Sequence, residues 1–89
     1  MKYYSLLESE TTLSTANNFS MWTRIRLVNG NALDSGTVNV ITHKELDGKV
    51  KGTISLYPQQ EIVLGKMADD TLEATGNTCL AVPIFDVTT

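Results

Sequence analysis

The chain of 89 residues is poor in the side chains that most often mark a small protein's chemistry: one cysteine (Cys79), one histidine (His43), one tryptophan and two prolines. A lone thiol closes no intrachain disulfide, and one imidazole with one thiol makes no Cys/His cluster of zinc-ligand spacing. No metal site and no cofactor is expected. The same scarcity argues against nucleophilic catalysis, since His43 would be the only imidazole for a Ser–His or Cys–His dyad, and no convergent acid, base and nucleophile stands out. The expectation is a non-enzymatic protein without catalytic residues. No apolar run approaches a membrane span, and the apolar start around Tyr3 and Leu7 meets Glu8, Ser9 and Glu10 where a signal peptide would stay apolar. This reads as a cytoplasmic chain with a reduced thiol.

What is present fits one small globular domain: 42% of residues are hydrophobic and 19% charged, too apolar for a disordered chain and barely large enough for a core. Tyr3, Leu6, Leu7 and Glu10 fall at helical spacing, which predicts a short N-terminal helix, and a polar linker follows to about residue 20. From Met21 the period changes to two. Strands are expected over residues 21–28, 37–43, 50–57, 61–67 and 78–87. Asp47-Gly48 supplies a tight hairpin turn, Pro58 breaks the next connection, and Asp70 and Gly76 can cap and end a helical turn. Strand five is apolar on both faces, with Cys79 as a small hydrophobe, and Pro83 marks an edge or a bulge in it. Connections too short for parallel crossovers imply a mostly β fold: the helix, then a five-stranded, strongly bent antiparallel sheet curling into a small barrel over residues 21–89.

The formal net charge is −3, but it is unevenly placed. Residues 1–20 carry −1, residues 21–66 carry +2 and residues 67–89 carry −4. The middle strands hold Arg24, Arg26, Lys44, Lys49, Lys51 and Lys66, and with His43 these are the candidate residues for RNA or single-stranded DNA. A second reading stands beside it: charges around an exposed hairpin keep it soluble, and Glu45 and Asp47 partly cancel them. Trp22, Arg24 and Arg26 share a face suited to packing or to a subunit interface. An open five-stranded meander also exposes two edges, which cyclic pairing between protomers would remove. The candidate interface residues are Glu61 and Val63 on strand four with Leu80, Val82 and Ile84 on strand five.

The order Trp22-Thr23-Arg24-Ile25-Arg26-Leu27-Val28-Asn29, Gly36-Thr37-Val38-Asn39-Val40, Gly52-Thr53-Ile54-Ser55-Leu56, Glu61-Ile62-Val63-Leu64-Gly65-Lys66, Asp70-Thr71-Leu72 and Ala81-Val82-Pro83-Ile84 resembles a family of small marine, cyanophage-derived proteins of Sm/LSm-like fold. The resemblance implies an N-terminal helix, a five-stranded bent barrel, assembly into homo-oligomeric rings, and a host-cytoplasm setting. Sm-type RNA contacts would then fall at residues 44–51 and 66–70. The first region lacks the Asp-x-aromatic-Met-Asn pattern of Sm proteins, and in the second only Gly65 agrees with their Arg-Gly step. A looser electrostatic or stacking contact is what remains implied. The alternative is a phage structural or assembly module that oligomerises without touching nucleic acid.

Overall fold

Alternating side chains from Arg24 onward do form strands, but the strands pair in an order that sequence neighbours do not suggest. The computed structural model describes the backbone of residues 2–88 and, in the terminal strands, side chains only from Ser5 and as far as Phe85. The sequence readings of the Tyr3, Asp86 and Val87 side chains lie outside the described residues. The described residues form eight antiparallel strands: β1 (Lys2–Leu6), β2 (Thr11–Leu13), β3 (Arg24–Asn29), β4 (Asn39–Lys44), β5 (Val50–Leu56), β6 (Glu61–Gly65), β7 (Thr71–Ala74) and β8 (Cys79–Thr88).

The expected N-terminal helix is a strand. Leu6 faces Ile84 and Lys2 faces Thr88 in the β1–β8 ladder, and the isolated-helix alternative had too few residues to stand without tertiary support. β1 and β2 run along one side of β8 as a single interrupted strand. Leu6 pairs with Ile84 and Thr11 with Ala81, so residues 7–10 stand against only Val82 and Pro83. Pro83 explains the interruption: its carbonyl accepts Leu7 N–H at 3.1 Å on this side, but it has no N–H to return. The bulge expected around Pro83 therefore lies in the strand opposite it.

One sheet runs β1/β2, β8, β3, β6, and the other runs β7, β4, β5. The second gains a further edge from residues 14–17, where Asn17 bridges Leu72 and Ser14 O accepts Ala74 N–H. The chain thus crosses between sheets after residue 13, before β3, and again on entering β4, β6, β7 and β8. This is the double Greek key of a jelly roll. It is not a meander, and the sheets form no closed barrel. Only β4 and β5 are the expected hairpin, with Gly48 at φ +91° and its N–H bonded to Glu45 O. The helical turn expected from Asp70 to Gly76 is instead β7, which lies along β4.

A single core fills the space between the sheets: Leu13, Ile25, Leu27, Cys79 and Ala81 from one, Ile41, Leu56, Leu72 and Ala74 from the other, and Phe19 from the connection. Phe19, Ser20 and Met21 all have positive φ (54°, 54° and 67°), a left-handed turn that delivers Phe19 into this core. Asn29 ties the sheets directly. It is fully buried on β3 and donates to Leu56 O of β5 at 2.8 Å and to Thr37 O at 2.9 Å.

Candidate functional site

The β4–β7 ladder decides the fate of the basic segment, because it lays the acidic last third of the chain along the cationic middle. Asp70 is buried just ahead of β7, and its Oδ2 accepts from Lys51 Nζ at 2.9 Å, His43 Nε2 at 2.8 Å and Met67 N–H at 3.2 Å. The Lys51 and His43 bonds hold the Asp70 carboxyl down at about 2. Beside it, Lys44 pairs with Glu73, its neighbour but one along β7. On the other sheet Arg26 binds both Glu61 and Glu10.

Lys66 departs furthest from its expected role. It is buried, and its ammonium donates to the carbonyls of Met67 and Ala68 at 3.3 and 3.1 Å. Burial pushes its pKa down, against the pull of Asp70 and Asp69. It closes its own turn and offers nothing to a phosphate. Lys49 is different: its ammonium has no partner among the described residues. Arg24 is exposed at the start of β3, lining a cleft with Leu7, Trp22, Ile84 and Phe85, and Trp22 Nε1 donates to Glu8 at 3.1 Å. The seven candidate cations therefore do not converge on one open face. His43, Lys44, Lys49 and Lys51 share the β4–β5 hairpin, while Arg24 and Arg26 lie on the other sheet.

The five candidate interface residues also separate. Glu61 and Val63 are exposed on β6, which among the described residues pairs only with β3 and leaves its other edge open. Val82 and Ile84 are only 2% exposed, and Leu80 is half-buried. Over Cys79–Ala81 both edges of β8 are occupied, by β2 and by β3. Strand five is a centre of its own sheet along that stretch, so it cannot be the donor of an intermolecular edge there.

Two features had no counterpart in the sequence reading. The first is an asparagine network at one end of the sandwich: Asn31 Nδ2 and Asn39 Nδ2 both donate to Thr78 Oγ1, at 2.6 and 3.0 Å. The second is the open side of the sandwich, where the free edges of β5 and β6 flank two clefts. One, of about 210 Å³, is lined by Ile41, His43, Lys51, Gly52, Thr53, Ile54 and Leu64. The other, of about 410 Å³, lies among Ile54, Leu56, Tyr57, Glu61 and Ile62. Ile54, Tyr57 and Val63 are exposed along this side, at 40%, 57% and 38%.

Among the described residues no three His, Cys, Asp or Glu side chains come together as a metal-binding group, and no helix is long and apolar enough to cross a membrane. No protein-family model, no curated protein and no solved structure matches this chain.

Proposed function

We propose that this chain is a non-catalytic assembly domain that joins copies of itself through its strand edges. The observation that carries this reading is the open side of the sandwich, where β5 and β6 both lack an outer neighbour among the described residues and expose Ile54, Tyr57 and Val63. Edge strands of monomeric proteins are guarded by lysine, proline or a bulge. Here Pro58 lies in the turn beyond β5, the bulge in β5 is confined to its hairpin end between Val50 and Gly52, and the ammonium of Lys51, the only charge on β5, is drawn to Asp70, so Thr53–Leu56 carries none of these guards. Jelly rolls serve shells and lectins alike, so the strand order selects no function by itself.

Self-assembly is also the part of the Sm-like, phage-derived resemblance that the site supports, since Glu61 and Val63 sit on an open edge and closed symmetry removes edges. A non-catalytic role agrees with the state of Asp70, whose Oδ2 is saturated by three donors and acts as a structural acceptor. Sedimentation velocity from about 1 µM to about 1 mM tests the reading across the range of ordinary self-association. A mass that rises above the 9.8 kDa protomer supports it. A monomer at every concentration ends it.

Binding of RNA or single-stranded DNA is a second reading, favoured by the unpartnered Lys49 and by the small cleft where His43 and Lys51 meet apolar walls. Its weakness is that Lys44, Lys51, Arg26 and Lys66 are already engaged within the chain. Labelled oligonucleotides at low salt give the test. Affinity that falls with salt and is lost when Lys44, Lys49 and Lys51 all become Glu supports it, and no binding by the wild type removes it.

A further inference from the structure

The open side of the sandwich is self-complementary about a two-fold axis. Along an antiparallel strand successive residues point their backbone N–H and C=O groups to opposite sides. Val40 O accepts Thr75 N–H on the β7 side of β4. Asn39, Ile41 and His43 therefore turn toward β5, where they face Leu56, Ile54 and Gly52. Thr53 and Ser55 are left with their backbone groups directed off the edge, and the alternation ends at Gly52, beyond which Lys51 is the extra residue of a bulge. On β6, Gln60 O accepts Asn29 N–H and Lys66 N–H donates to Thr23 O, so these even-numbered residues face β3. Glu61, Val63 and Gly65 point away from β3. The two edges are also level with one another: Ile54 lines one cleft with Leu64 and the other with Ile62. Ile54 therefore sits level with Val63, and Thr53, the neighbouring residue whose backbone groups face outward, lies one residue from that level.

We propose that a second copy of this chain docks on this side about a two-fold axis passing Thr53 and Val63, so that β5 pairs antiparallel with β5 and β6 with β6. This rests on the self-assembly reading and gives it a surface and a symmetry. Both sheets continue into the second copy, and the outward backbone groups of Thr53 and of Glu61, Val63 and Gly65 gain partners. The registers set no like charges opposite each other. Lys51 meets Ser55 of the second copy, Thr53 meets Thr53, and Val63 meets Val63. Glu61 meets Gly65, and in each protomer Gly65 lies directly opposite Arg24 on β3. With no side chain on Gly65, the Glu61 carboxylate of the second copy meets no bulk there while Arg26 holds it from its own chain. The exposed apolar side chains Ile54 and Val63 are covered in the same step.

Disulfide trapping reads this geometry. A residue on the axis stands about 5.5 Å from its counterpart, Cα to Cα, within the reach of a disulfide. Ser55 lies four residues from its own copy in this register, about 13 Å away and out of reach. The native Cys79 is fully buried and its thiol pushed up to about 11 by that burial, so it contributes no background. Thr53→Cys and Val63→Cys, both at exposed positions, should each form covalent dimers at least about tenfold faster than Ser55→Cys under mild oxidation. If oligomers sediment but neither axis variant couples faster than Ser55→Cys, this interface is wrong and the assembly reading survives. A monomeric wild type overturns both.

Discussion

Asp70 is where one side chain sets the chemistry of its surroundings. Its pattern in the sequence, an acid before Thr71 and Leu72, suits a helix cap. Its partners are His43 and Lys51, 27 and 19 residues away, and no local window carries that information. Because its folded pKa lies below the ordinary 3.8, at about 2, the carboxylate contributes stability that is complete above about pH 4 and lost as pH falls through about 2. Urea midpoints of the wild type should therefore drop over that window, and Asp70→Asn should flatten the drop while lowering stability at neutral pH. An unchanged slope in the variant would sink the assignment. Gly76 has a different constraint: it holds φ +89°, and a Cβ there would stand 2.7 Å from Asn39 Nδ2. Gly76→Ala should cost about 1–3 kcal/mol by both strain and displacement of the amide, read as a lower thermal midpoint.

At the scale of the element, period-two alternation located β3, β4, β5, β6 and β8 to within a few residues, and Asp47-Gly48 marked the one true hairpin. The N-terminal segment misled because Tyr3, Leu6 and Leu7 fit a helical stripe over a window short enough to fit a strand as well. The β8 ladder decides between them. β7 was hidden for a similar reason: its four residues, Thr71–Ala74, sit between turn-forming stretches that dominate any window. Edges are legible only after pairing is known, which is why Glu61 and Val63 fell on a free strand while Val82 and Ile84 did not. Val63→Glu tests the β6 edge. It would set two carboxylates face to face on the proposed axis, so the dimer should be lost in sedimentation while circular dichroism and the thermal midpoint stay near wild type.

At the scale of the whole molecule, charges that are separate along the chain become neighbours in the fold. The +2 middle and the −4 end are brought together by β4–β7 pairing, so Lys51 and His43 meet Asp70 and Lys44 meets Glu73. These pairings engage Lys44 and Lys51 within the chain and leave the Lys49 ammonium without a partner among the described residues. The same topology sets how the chain must fold. β1 pairs with β8 from Lys2↔Thr88 to Leu6↔Ile84, β3 pairs with both β6 and β8, and only β4–β5 is local. Closing such distant pairs costs chain entropy before any contact repays it, which places folding among the slow, non-local β proteins, in milliseconds to seconds rather than microseconds. Trp22 is the only indole, and its bond to Glu8 forms only when the bulge between β1 and β2 settles against β8. Stopped-flow dilution from urea should accordingly show Trp22 fluorescence recovering on that slow scale. Recovery complete within the instrument's dead time would mean that the indole environment forms before the first and last strands have met, and that the order of events drawn from the sheet topology is wrong.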